Sequence, residues 1–415
     1  MNLRRLAPEA ALIGAGQAVA ALASLATIRV MTGILRPEVY GQLGLALTVA
    51  TLAQQCILGP IAMAAARYYA PAWDGGNIRG YLRGVGILCA GGTLALGAIT
   101  AAAAFWISGL WIAAVFAWTS SISSLVDGIQ NAARQRALVA LHQGAGGWLR
   151  LALAAGAAKL WGGSSAATLC AYAAGYLVLS ASQCFFLWRN LRVACGREAT
   201  VTITSPLLNY SWPFAAWGVF TWIQASADRW SIDAYCGLYQ TGLYQSIYQL
   251  GYYPASLLSQ FLLQIATPIF FAKAGRGEAE RWNRRLVLGA IGGTLAAGAI
   301  SAAGGHKLLA LLLAPGYRAQ SALLTPLILA SGFFAAGQIG ALDSMMSMNT
   351  RRLIAPKIVT ALGGAALLLA GAAIAGIKGV VAAQLCFSCA YLAWILILNR
   401  RAAAPVAVPS FALNG

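Results

Sequence analysis

Runs of about twenty mostly apolar residues recur along the whole length of this chain. Each is long enough to cross the ~30 Å hydrocarbon layer of a bilayer. Lipid offers no partners to backbone N–H and C=O groups, so such segments must be helices. Twelve spans are predicted, at about 10–34, 39–64, 83–105, 109–131, 138–161, 166–188, 207–227, 235–266, 284–304, 320–344, 355–376 and 379–398. The eighth is long, and Pro254 is placed to kink it. Only 9% of residues are charged and the mean hydropathy is +0.71, which leaves no segment for a soluble domain. The fold class is therefore an all-α polytopic membrane protein. Arg4–Arg5 resembles the basic end of a signal peptide, but the apolar run behind it has no cleavage pattern and reads as a retained helix.

The net charge of +18 would point to nucleic acid in a soluble protein. Here the placement of the charges excludes that partner and points to the bilayer. With the N-terminus inside the cell, 20 of the 28 basic residues fall in inner segments and six in outer ones, with Arg29 and Arg150 inside spans. This is the positive-inside pattern, and with an even number of spans it predicts both termini in the cytoplasm. The cysteines lie mostly inside predicted helices without metal-ligand spacing, and read as small apolar filler.

The link at about 189–206 divides the spans six and six, giving predicted domains 1–195 and 196–415. The halves echo each other. Tyr40-Gly41-Gln42-Leu43-Gly44-Leu45 recurs as Leu238-Tyr239-Gln240-Thr241-Gly242-Leu243, an offset of 198. Asp127 in span four is followed by Arg134, and Asp343 in span ten by Arg351. Two six-helix bundles related along the membrane normal follow, with a site expected at their interface. Gly and Ala crowd the spans, as at Gly91-Gly92, Gly289–Gly293 and Gly363-Gly364, which allows close helix packing.

The most informative stretch is 207–264. Spans seven and eight are read as joined by a short turn around Asp228–Asp233. In span eight, Gln245, Gln249, Ser256, Gln260 and Gln264 fall within an arc of about 100°. An amide-lined face in lipid must turn to other helices or to water. It is either a polar seam that glues helices together or the wall of a hydrated cavity. Arg29 and Arg150 are charges at membrane depth, fit to bind phosphate oxygens with a two-pronged donor. Arg29 has the alternative of reaching out to the outer interface. Tyr252 shares the amide side and Tyr248 flanks it, and both are candidates for stacking on sugar rings. Asp228 and Arg229 are read as an outer gate or a surface ion pair. Asp127 and Asp343 are read as solvated helix-end carboxylates or as ion-pair, proton or Na⁺ sites. His142 is read as a satisfied core histidine or a titrating group.

No Ser/His/Asp arrangement, metal spacing or phosphate-binding Gly loop is present, so no catalytic residue, metal or cofactor is expected. Energy must come from an H⁺ or Na⁺ gradient, the substrate's own gradient or a partner.

The run Arg29-Val30-Met31-Thr32-Gly33-Ile34-Leu35-Arg36-Pro37-Glu38-Val39-Tyr40-Gly41 resembles the first helix–loop signature of polysaccharide flippases in the multidrug/oligosaccharidyl-lipid/polysaccharide exporter superfamily. Ala227-Asp228-Arg229-Trp230-Ser231-Ile232 through Gly242-Leu243-Tyr244 resembles its counterpart in the second half. Leu313-Ala314-Pro315-Gly316-Tyr317 and Gly376-Ile377-Lys378-Gly379-Val380-Val381-Ala382 fit as well. The resemblance covers nearly the whole chain. It implies a MATE-like pair of six-helix bundles in a bacterial inner membrane, flipping an undecaprenyl-pyrophosphate-linked oligosaccharide by alternating access. A polysaccharide polymerase and a chain-length regulator are the candidate protein partners. The alternatives are a cation-coupled drug or metabolite antiporter of the same superfamily and a membrane glycan polymerase or acyltransferase. The antiporter would want a buried acid in span one, where the buried charge is Arg29. The polymerase would want a large outer loop.

Overall fold

A computed structural model of the chain describes residues 3–104, 110–194, 201–256, 258–259, 262, 278–346 and 353–402. Every element among them is helical. In order they are α1 (Leu3–Ile34), α2 (Pro37–Ala53), a π-helical turn (Gln54–Leu58), α3 (Gly59–Asp74), α4 (Ile78–Ala104), α5 (Leu110–Ala132), α6 (Arg136–Leu160), α7 (Ser165–Ala194), α8 (Ser205–Gly251), α9 (Glu278–Leu312), a 3₁₀ turn (Pro315–Leu323), α10 (Leu324–Gly340), α11 (Leu342–Met346) and α12 (Ile354–Ala402). Pro37 starts α2 at its first turn, where a missing N–H costs nothing.

Among the described residues, eight helices are long and apolar enough to cross a membrane, by length and composition. The α6 and α8 helices, which carry Arg150 and Asp228–Arg229, are not among them. Two long helices are broken. In α8 the break is Gly237, at φ 78 and ψ 174, and in α12 it is Ala375–Gly376, with Gly376 at φ 58. Such backbone is open to glycine and strained for other residues. With both breaks, the expected spans have helical counterparts among the described residues, the eighth only in part.

Three expectations change. Asp228–Asp233 is not a turn: the helix runs on, and the chain breaks only at Gly237. The reason is burial, because Asp228 and Arg229 are 2% and 7% exposed and belong to the interior. The second span does not end near residue 64. One apolar helix, Pro37–Asp74, runs through the π-turn. The amide face of span eight is described only in part, because Gln260 and Gln264 lie outside the described residues, as does Arg351. Tyr252, two residues before Pro254, interrupts the helical run where a kink was expected.

The chain forms two compact units: Met1–Ser246 with Ala310–Ala319, and Ile247–Leu309 with Gln320–Gly415. This differs from the border expected at 195/196, because most of α8 packs on α2. A Cβ on Gly242 would lie 1.8 Å from the Pro37 carbonyl oxygen, and one on Gly41 2.4 Å from that of Leu238. The two echoing segments therefore cross backbone to backbone. Further up, Trp222 Nε1 donates to the Thr48 carbonyl (2.7 Å) and Trp230 Nε1 to Thr48 Oγ1 (2.9 Å).

In the first unit α1 lies on α6, and α5 and α6 both lie on α7. Small residues set the α1–α6 spacing: a Cβ on Gly16 would meet Ala140 and one on Gly147 would meet Ala23, both under 3 Å. Not every glycine does this, since Gly91, Gly289, Gly293 and Gly363 have nothing within 4 Å. The Ala310–Ala319 segment is tied in by Tyr317, whose hydroxyl donates to the Leu35 carbonyl (2.8 Å) while its ring meets Tyr40 edge-on.

In the second unit α10 packs along α12. Gly337 and Gly340 lie against Tyr391 and Ile395, and Phe334 fills the space beside Phe387 and Tyr391. The two arms of α12 touch at Gly371 and Gly379, on either side of the break.

Candidate functional site

The first unit buries two polar groups of residues, one between α2 and α8 and one among α1, α5, α6 and α7. In the first, Asp228 Oδ2 accepts from the Tyr244 hydroxyl at 2.6 Å and Oδ1 from the Arg229 backbone N–H at 2.8 Å. Arg229 donates through Nη1 to the Ala225 carbonyl (3.1 Å). A buried charge is tolerated only when hydrogen-bonded, and Tyr244 supplies that partner across the Gly237 break. The pair is thus not a surface ion pair. Gln245, one residue past Tyr244, is buried against Gly44, and its Oε1 has no hydrogen-bond partner.

The second group is built around Arg150 on α6. Its guanidinium carbon sits 4.4 Å from the centre of the Tyr176 ring on α7. Two glycines make the room. A Cβ on Gly175 would meet Arg150 Cγ at 2.7 Å, and one on Gly146 would meet Nη1 at 3.2 Å. Phe116 on α5 props the aromatic wall, with ring centres 5.7 Å from Tyr176 and 6.4 Å from Tyr172. Among the described residues the guanidinium makes no hydrogen bond. Its charge is met by the ring face of Tyr176.

Asp127 is not a solvated helix end, as one reading of the sequence had it. It accepts a hydrogen bond from Gln183 on α7. Gln183 Oε1 in turn accepts from Ser123 Oγ (3.3 Å), and Gln143 Oε1 on α6 accepts from Gln17 Nε2 (2.9 Å). His142 is a satisfied core histidine. Nδ1 faces the Leu138 carbonyl at 2.7 Å and so donates to it, and Nε2 lies 3.0 Å from Ser182 Oγ.

Of the other expected residues, Arg29 is exposed on α1. Gln249 is half-buried. Tyr248 and Tyr252 are buried and stack on each other, with centres 4.8 Å apart and planes 15° apart, so each already spends one face. Asp343 lies in the second unit, where it accepts from Asn283 Nδ2 at 2.7 Å. Sequence reasoning missed Gln17, Gln143, Gln183, Tyr172, Tyr176 and Thr48. The only available signal was an unusual density of amides and tyrosines in apolar helices.

The fold is that of the MATE transporters. An inward-facing multidrug resistance MATE family transporter of the MOP superfamily superimposes with a TM-score of 0.65 at 15% identity, over 93% of this chain and 94% of that one. The lipid II flippase MurJ in an inward closed conformation superimposes with a TM-score of 0.71 at 11% identity, over 94% and 87%. A MOP superfamily transporter from Pyrococcus furiosus gives 0.60 at 15%, over 94% and 93%. No curated protein matches the sequence. Residues 149–274 match the family model described as polysaccharide biosynthesis protein. That stretch begins one residue before Arg150 and takes in Tyr176, Gln183, Asp228 and Gln245.

Proposed function

We propose that this chain is a flippase that moves an undecaprenyl-pyrophosphate-linked oligosaccharide across a bacterial inner membrane by alternating access, in the making of a surface polysaccharide such as O-antigen. One observation carries the reading: Arg150, on a helix packed among apolar neighbours, is held over Tyr176 with its N–H donors unspent. A permanent charge in such a place is costly, and a phosphate is the group whose oxygens a guanidinium fork fits best. The family model and the fold shared with a lipid II flippase support the choice of a lipid-linked glycan. No group-transfer chemistry is assigned to the chain. Both termini are proposed to lie in the cytoplasm, from the distribution of basic residues.

A strain lacking the protein should accumulate lipid-linked glycan on the cytoplasmic leaflet. The wild-type chain should restore surface glycan, and Arg150→Ala at equal expression should not. A normal leaflet distribution in the deletion strain ends the flippase reading.

A second reading has an observation of its own. Asp127 and Asp343 are carboxylates held by amides inside helical units, as an H⁺- or Na⁺-coupled antiporter would need. Exchange of organic cations for H⁺ or Na⁺ by the purified chain in vesicles would favour it.

A further inference from the structure

The two units of the chain do not divide at a single point. Ala310–Ala319 belongs to the first unit, while the residues on either side of it, up to Leu309 and from Gln320, belong to the second. The segment is therefore a strap, rooted at both ends in the second unit and fastened to the first.

The fastening is made at the corner between α1 and α2. Leu35 follows the last residue of α1, where helix carbonyls lack partners within the helix. The Tyr317 hydroxyl donates to the Leu35 carbonyl at 2.8 Å, and the Tyr317 ring meets Tyr40, in the first turn of α2, edge-on at 5.7 Å. The Ala314 N–H donates to Thr32 Oγ1 at 3.4 Å. Thr32, Leu313 and Tyr317 are all buried. The next residue, Arg318, does for α9 what Tyr317 does for α1: its Nη2 donates to the Ala310 and Leu313 carbonyls at 2.6 and 2.9 Å. Adjacent residues thus close the ends of two helices.

The bonds at the α1–α2 corner are few, and a neutral hydrogen bond is worth little net against water. The crossing of α2 and α8 differs in kind, because backbone meets backbone there at Gly41 and Gly242 with no side chain to withdraw. Of these two attachments, only the strap can be released by turning a side chain. On the proposed topology the corner and the strap both lie at the outer face.

We propose that the Tyr317 strap is a latch on the outer side, fastened in this structure and released once in each transport cycle. This rests on the alternating-access reading of the chain, and not on the identity of the passenger or its binding site. Fastened, the ends of α1 and α9 move as one. Released, α9 is free to move without α1.

The test uses cysteines in a full-length chain whose native cysteines are replaced by Ala. With Thr32→Cys alone, purified in detergent, the buried thiol should react slowly with a maleimide. Adding Tyr317→Phe should raise that rate about two- to tenfold, in proportion to the released fraction. A thiol at Thr168, buried on α7, is the control and should not respond. An unchanged rate at position 32 overturns the latch, and so does an equal rise at position 168, which would mean general loosening. The pair Thr32→Cys with Ala314→Cys then puts two thiols where Oγ1 and N now lie 3.4 Å apart, within reach of a disulfide. Locked in the oxidising periplasm, this chain should fail to return surface glycan to a strain lacking the protein, and dithiothreitol in the medium should restore it. A chain shown by its loss of maleimide reactivity to be fully crosslinked, yet still active, overturns the latch. So does a pair that forms no crosslink. If the reduced pair is itself inactive, the labelling comparison decides. If the deletion strain distributes its lipid-linked glycan normally, the flippase reading falls, and the labelling comparison judges the latch by itself.

Discussion

Gly242→Ala tests the α2–α8 crossing most directly. The new Cβ would lie 1.8 Å from the Pro37 carbonyl oxygen, where ordinary contact begins near 3.4 Å. The helices must separate by more than 1 Å at a point where backbone meets backbone on both sides. No flexible side-chain end is there to give way. Overpacking of this kind costs about 1–3 kcal/mol. At about 2–4 °C per kcal/mol, a cost near 2 kcal/mol lowers the melting point by about 4–8 °C. Fluorescence-detected size exclusion after heating, in detergent, reads that shift. Gly91→Ala is the control: nothing lies within 4 Å of its Cβ, so a helical Gly→Ala change there should be neutral or stabilising by about 0.5–1 kcal/mol. Equal melting points for wild type and Gly242→Ala would refute the close crossing, and a fall as large in Gly91→Ala would show that the clash is not its cause.

Gly237→Ala puts a side chain at φ 78 and ψ 174 and should cost about 1–3 kcal/mol by the same thermal assay, despite open space around the Cβ. Tyr244→Phe removes the hydroxyl that serves Asp228 and should cost about 1.5–3 kcal/mol. A shift that vanishes in the Asp228→Asn background would confirm the pairing, and an undiminished one would refute it. Tyr317→Phe removes the bond to Leu35 but keeps the ring against Tyr40, so a smaller loss of about 1 kcal/mol is expected. Arg150→Lys keeps the charge without the planar fork; diphosphate binding measured by titration should weaken, and an unchanged affinity would argue against two-pronged recognition.

The sequence by itself determined that the chain is helical and lies in a membrane, because hydrocarbon leaves apolar backbone no other form. It also located most of the helices, since length and hydropathy are local properties. It singled out Arg150, Asp127, Asp228 and Asp343, because charge in apolar sequence is visible without a structure. Partnership was not legible. Tyr244 reaches Asp228 only because the chain breaks at Gly237 rather than at 228–233, and Gln183 reaches Asp127 from 56 residues away. Thr48 holds two tryptophans more than 170 residues distant. The tertiary structure alone decided which amides serve an acid, which tyrosine bears the arginine and which glycines touch another backbone. These follow from helix rotation and crossing, which depend on contacts between segments far apart in the chain, and no periodicity within one helix encodes them.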